Sequence, residues 1–137
     1  MAITALHTFG WEWENRLKPF IESHLGYEVA HTECRYDSVD FKTIIPYANC
    51  ELKSRPRISE SGWYQDSNSW ETWYVPVCKC KRNPNGITRF YYFWEADASL
   101  WYCDYDPKKF RGLEVWHNKN GQPTVRIPKC FFTQIPF

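Results

Sequence analysis

The segment from Asp40 to Arg55, DFKTIIPYANCELKSR, holds the side chains best suited to chemistry. Glu51 and Lys53 stand two apart, and side chains alternate along a strand, so both project from one face. Leu52 then projects from the other face, toward a core. A turn at Pro46 folds Asp40 back beside that strand, and two carboxylates and one ammonium converge on the edge of a sheet. Hard oxygen ligands of this kind suit Mg²⁺, and they suit Mn²⁺ as well. Such a cation polarises a phosphoryl oxygen and lowers the pKa of a bound water. Lys53 is placed to position that water or to stabilise charge developing on phosphate. The planar fork of Arg55 can grip a phosphate. The chemistry expected is metal-assisted hydrolysis of a phosphodiester.

Glu-x-Lys is a common frame, and its setting is what separates Glu51-Leu52-Lys53 from chance. It has an apolar residue in the middle, a hairpin and acids before it, and basic residues after it. A second acid-x-Lys frame, Asp106-Pro107-Lys108, is set aside, because Pro107 cannot sit in a central strand. The net charge is only +1, so any phosphate binding rests on local patches rather than the total. Lys53, Arg55 and Arg57 form one such patch, and Lys79, Lys81 and Arg82 another. Aromatic residues make up 19% of the chain, which suits strands filled by large rings. Trp70 and Trp73 are assigned to the core. Trp63 and Tyr64 fall in a polar loop and are the candidates for stacking on bases. Gln65 follows them as a loop residue that can face substrate. His7, His24, His31 and His117 are scattered without metal-ligand spacing.

These residues need elements to position them. Residues 11–25 read as a helix, with Trp13, Leu17, Phe20, Ile21 and Leu25 near one face and Gly26 as the C-cap. Pro19 implies a kink or a later start. Residues 27–30 read as a short strand and 35–45 as extended. Pro46 to Asn49 reads as a turn, and Cys50 to Arg55 as the strand that completes a hairpin. Residues 56–70 form a polar loop. Trp70 to Lys81 is strand-like, with Pro76 marking an edge, a bulge or an end. Asn83 to Gly86 is a turn. Phe90 to Trp94 and Leu100 to Tyr105 are strands around a polar tip. Residues 106–123 are mixed, and 125–127 and 131–132 are short terminal strands. The sum is one α+β domain over residues 1–137 with a mostly antiparallel sheet.

Six cysteines could form three disulfides in a secreted domain. The N-terminus MAITALHTFG lacks a signal-peptide pattern, so the expectation is a cytoplasmic protein with free, buried thiols. No apolar run is long enough to span a membrane. Cys78 and Cys80 do not have the spacing of a zinc pair.

Asp40 followed by Glu51-Leu52-Lys53 resembles the catalytic pattern of the PD-(D/E)XK nuclease superfamily. The order of a helix, then a hairpin carrying the acid and Glu-x-Lys, then further strands is similar too. Asp37-Ser38-Val39-Asp40 and Glu51-Leu52-Lys53-Ser54 look like segments of small restriction enzymes. Asp40-Phe41, Glu51 to Arg55 and Lys79 look like those of small phage and viral nucleases. The resemblance spans roughly residues 12–105. It implies a restriction-endonuclease-like core, with a mixed, mostly antiparallel central sheet and a flanking helix. It implies Asp40 and Glu51 as metal ligands joined by the Leu52 carbonyl, and Lys53 as the catalytic lysine. Asp37 is the alternative to Asp40. An acid on the first helix, Glu14 or else Glu12, is a further ligand in some members.

The function expected is a Mg²⁺- or Mn²⁺-dependent endonuclease on duplex or branched DNA, working in the cytoplasm, the host's if the source is a phage or virus. Arg55, Arg57, Lys79, Lys81, Trp63 and Tyr64 would contact the nucleic acid. A domain with one metal centre needs a partner copy to cut both strands, so a homodimer is expected. Neither a membrane nor an organic cofactor is implied. The alternative is a non-catalytic module that binds nucleic acid through aromatic and basic residues. A third possibility is a secreted, disulfide-linked structural domain, which six free thiols would exclude.

Overall fold

The computed structural model describes residues 5–31, 41–43, 48–59, 61–69, 72–80, 83, 86–118 and 120–136; for 5–11, 31, 41–43, 72, 74 and 78 it describes the backbone only. Helix α1 runs from Ala5 to Leu25, starting before the expected residue 11 and passing through Pro19. A proline inside a helix costs about 3 kcal/mol. Leu17, Ile21 and Leu25 are all buried on one stripe, and each contributes roughly 1.5–3 kcal/mol of burial. That stripe outweighs the defect, whose ring points to the exposed side. Trp13 packs its ring 4.2 Å from that of Phe93. Phe20, expected on the same face, is 45% exposed. Gly26 ends the helix at φ +80°, a conformation that suits glycine, and its N–H donates to the Glu22 carbonyl at 2.9 Å. The Glu22 side chain then accepts from the Val29 N–H, which sets the entry to the first strand.

Among the described residues nine strands follow: β1 Val29–His31, β2 Phe41–Thr43, β3 Ala48–Arg55, β4 Thr72–Pro76, β5 Ile87–Trp94, β6 Ser99–Asp104, β7 Val115–His117, β8 Pro123–Pro128 and β9 Thr133–Ile135. Among the described residues they form a six-stranded sheet, β1-β2-β3-β5-β6-β9, and a three-stranded sheet, β4-β8-β7. The coarse expectation, an α+β domain with a mixed and mostly antiparallel sheet, is met. Every pairing is antiparallel except β3 with β5, which run parallel in register from Ala48 opposite Ile87 to Arg55 opposite Trp94. Parallel neighbours need a long crossover. Here residues 56–86 supply it, and they place β4 in the second sheet.

Both faces of the large sheet are covered. Leu17, Ile21 and Leu25 of α1 pack with Cys50, Leu52, Tyr91, Phe93 and Leu100 on one face. Trp73, Val75, Val125 and Ile127 of the small sheet pack with Phe90, Tyr92 and Trp94 on the other. Double coverage explains why β5 reads as a continuous apolar run instead of alternating.

Several boundaries differ from the sequence reading. Ala48 and Asn49, expected in a turn, open β3, because Ala48 is buried in the helix-side core. The strand expected over residues 70–81 stops at Pro76 and becomes a 3₁₀ turn, Val77–Lys79. Phe131 closes a similar turn after Pro128, and the last strand starts only at Thr133. Within the mixed segment, Asp106 caps a short helix α2, Pro107–Phe110, by accepting from the Lys108 N–H at 2.9 Å. Cys50, Cys80, Cys103 and Cys130 are free thiols, and Cys130 is exposed rather than buried. No helix among the described residues is long and apolar enough to cross a membrane.

A partly buried polar cluster lies under the end of α1. Arg89 donates to both carboxylate oxygens of Asp104, at 2.5 and 3.0 Å. His24 Nδ1 lies 2.9 Å from the Tyr91 hydroxyl and 3.2 Å from Arg89. A guanidinium can only donate, so Nδ1 must accept and the imidazole is neutral. Burial, then Arg89, lowers the His24 pKa from its ordinary 6.5. Below that value the unfolded chain binds the proton first, so stability falls as pH drops through 6.5 toward the lower folded value. Melting followed by circular dichroism from pH 7.5 to 5 should show a larger loss for wild type than for His24→Gln; parallel curves would contradict this. Ile21→Ala, at a fully buried position, should cost about 2–5 kcal/mol in urea unfolding.

Candidate functional site

The site is built on β3. Its odd-numbered residues share a face with Phe90, Tyr92 and Trp94, since Glu51 pairs with Phe90, Lys53 with Tyr92 and Arg55 with Trp94. Leu52 turns the other way into the helix-side core. The alternation expected from the sequence therefore holds, and it directs three charged side chains into the space between the two sheets. The aromatic wall beside them is tightly packed. Trp73 lies 4.9 Å from Tyr92 and 5.6 Å from Phe90, and Tyr92 stacks on Trp94 at 5.1 Å.

Glu51 is 8% exposed. A charge this deep needs a partner, and Lys79, on the 3₁₀ turn after β4, forms an ion pair with its Oε1. The sequence reading had Lys79 as a phosphate contact. The structure brings it across from the second sheet to the proposed acid, so Lys79 competes with any cation for that oxygen. Arg55 Nε donates to the Tyr92 hydroxyl at 2.8 Å, which orients the guanidinium across the sheet. Lys53 lies between them. Its pKa is lowered to about 8, first by burial and then by Arg55 and Lys79, with Glu51 acting in the opposite direction.

Lys53 also lines a cleft of about 410 Å³ with Pro76, Trp116, Asn118 and Thr124. The sequence marks Pro76 only as a strand edge, bulge or end, and points to none of the last four as a site residue. Trp116 and Thr124 face each other in the local hairpin of β7 and β8, and it is their placement beside Lys53, far back in the chain, that nothing near Lys53 announces.

The other expected residues are placed as follows. Arg57 is exposed and pairs with Glu95 at 3.4 Å. Trp63 and Tyr64 are 74% and 62% exposed, on a loop closed by a bridge between Ile58 and Tyr64. Gln65 braces that loop by donating to the Pro56 carbonyl. Glu12 and Glu14 lie on α1, the layer against the opposite face of the sheet from Glu51. Asp37, Asp40 and Lys81 lie outside the described residues. The chain enters β2 at Phe41, next after Asp40, and Phe41 pairs with Cys50, next before Glu51.

Glu51 and the Leu52 carbonyl are hard oxygen donors of the kind Mg²⁺ or Mn²⁺ takes. No group of three His, Cys, Asp or Glu side chains spaced to hold a metal occurs among the described residues. A metal held at Glu51 would need a further acid from outside them. No protein-family model matches the chain, and no curated protein sequence matches it either.

At pH near 8, ~half of the molecules should carry a neutral Lys53. In metal-free protein with ¹⁵N-labelled lysine, one resonance should titrate near 8 and vanish in Lys53→Gln. Glu51→Gln should lower it further, because that carboxylate favours the ammonium. Titration at the ordinary 10.5 would contradict the placement of Lys53.

Proposed function

We propose that this chain is a divalent-cation-dependent endonuclease that hydrolyses phosphodiester bonds of duplex or branched DNA. The observation that carries the reading is the convergence on one buried sheet face of Glu51, Lys53, Lys79 and Arg55, one acid among three cations. Such a surplus attracts a phosphodiester, and Glu51 would supply an oxygen donor to a metal that displaces Lys79 from it. The order of elements adds support. A helix comes first, then β2 and β3 as an antiparallel pair, with Glu51 and Lys53 on the second strand and further strands after it. That is the order of the restriction-endonuclease-like core in the PD-(D/E)XK superfamily.

In this reading Glu51, the Leu52 carbonyl and Asp40, with Asp37 as the alternative, hold Mg²⁺ or Mn²⁺. Glu14, expected as a ligand from the first helix, lies in the layer on the other face of the sheet from Glu51 and is left out of that set. The bound cation would polarise the phosphoryl oxygen and make a bound water more acidic. Lys53 meets the scissile phosphate and either orients the attacking water or offsets charge as it builds on the phosphoryl oxygens. Arg55, held by Tyr92, offers its outer nitrogens to a neighbouring phosphate. Arg57, Lys81, Trp63 and Tyr64 extend the contact along the DNA, with the two exposed rings available for stacking. Two copies related by a two-fold axis would place one such centre on each strand.

The experiment is cleavage of plasmid, linear and four-way-junction DNA with Mg²⁺, Mn²⁺ or EDTA. Wild type should cut with either cation and not with EDTA. Lys53→Ala and Glu51→Gln should each lose on the order of 100-fold or more. Cutting that survives Lys53→Ala, or no cutting at all, would sink the assignment. DNA binding without cutting would favour the non-catalytic module, which the exposure of Trp63 and Tyr64 also suits.

A further inference from the structure

Trp116 is a half-exposed aromatic side chain with polar partners on its own sheet. It stands on β7, all three of whose residues are exposed, and it is itself 49% exposed. Its indole N–H donates to Glu114 Oε2 at 2.8 Å. Arg126 lies over its ring, 5.1 Å from the centroid, and the same guanidinium reaches Glu114 at 3.2 Å. The Thr124 hydroxyl donates to the Trp116 carbonyl at 3.0 Å, and the Arg126 N–H donates to the Glu114 carbonyl. The turn beyond β7 is equally braced, since Asn118 Oδ1 accepts from the N–H groups of Asn120 and Gln122 at 2.9 and 3.0 Å. A large ring left half-exposed forgoes apolar burial, and its contacts with Glu114 and Arg126 favour one orientation before any ligand arrives. Those are the features of a preformed binding platform.

The platform opens onto the proposed chemistry. Trp116 and Pro76 give the cleft apolar walls, Asn118 and Thr124 line it with polar side chains, and Lys53 forms its charged end. A volume of about 410 Å³ lies within the range of small-molecule clefts. We propose that this cleft seats an unpaired DNA base stacked on Trp116, next to the phosphate that Lys53 meets. This rests on the nuclease reading and narrows its substrate class. A base inside a duplex has both faces stacked and its edge paired, so reaching the cleft would require flipping it out. A base in a flap, gap or junction arm meets no such barrier. The substrate preferred is therefore DNA with an unpaired nucleotide beside the cut.

The test measures binding apart from cleavage. A duplex carrying one unpaired 2-aminopurine in a flap, and a fully paired duplex carrying the same base, are titrated with the full chain in Ca²⁺. Stacking on Trp116 should quench the unpaired probe. Trp116→Ala should weaken its binding by roughly 10- to 100-fold, the range for one lost base stack. Trp116→Phe, which keeps a ring but loses the bond to Glu114, should recover most of it. Equal affinity for the paired duplex, or an unpaired probe indifferent to Trp116→Ala, overturns the proposal. If Lys53-dependent cutting persists in that case, the nuclease reading stands without the base seat. If Trp116-dependent quenching occurs but nothing is cut, the seat stands and the nuclease reading falls.

Discussion

A strand in a sheet that is covered on both faces has no solvent side, so every residue on it commits to one core or the other. In β3 that constraint acts on a mixed sequence. Cys50 and Leu52 go to the helix side, where α1 closes over them. Glu51, Lys53 and Arg55 must go to the opposite side, between two sheets whose facing residues are mostly large rings. Charges placed there lose water, and each needs compensation. Glu51 is met by Lys79 and Arg55 by the Tyr92 hydroxyl, while Lys53 responds by giving up part of its hold on a proton.

That compensation depends on the route of the chain after β3. The parallel pairing of β3 with β5 requires a long crossover, and the crossover passes through β4 in the second sheet. Pro76 stops β4 and the following 3₁₀ turn aims Lys79 back at Glu51. The same second sheet, through β7 and β8, supplies Trp116 and Thr124 to the cleft at Lys53. The small sheet therefore covers the aromatic core and also builds the outer wall of the candidate site. Replacing the buried charges by apolar residues would often be neutral or stabilising in such a setting, which makes a functional reason for keeping them the more economical explanation.

Polar groups on the helix side follow a different logic. Arg89, Asp104, His24 and Tyr91 form a set at the end of α1. The members of that set pair with one another on the α1 side of the sheet, and Asp104 also lines a second cleft, of about 730 Å³, with Asp106 and Lys109. The opposite face instead gathers Lys53, Lys79 and Arg55 around the single carboxylate of Glu51.

What the chain determined locally could be read from it. The helical stripe of Leu17, Ile21 and Leu25, the glycine stop at Gly26, the opposite facing of Leu52 against Glu51 and Lys53, and the exposure of Trp63 and Tyr64 all follow from spacing and near-neighbour chemistry. What depended on distant partners could not. Pro19 implies a kink or a later start because its local cost is visible and the burial that offsets it is not. Asn49 was read as a turn residue because its propensity is local, whereas the burial of Ala48 comes from a helix far back in the chain. The ion pair of Lys79 with Glu51 and the place of Trp116 beside Lys53 join segments of two different sheets. Such contacts are selected by how sheets pack, which strand periodicity leaves open, so only the tertiary structure decided which cation meets the acid and which ring borders the lysine.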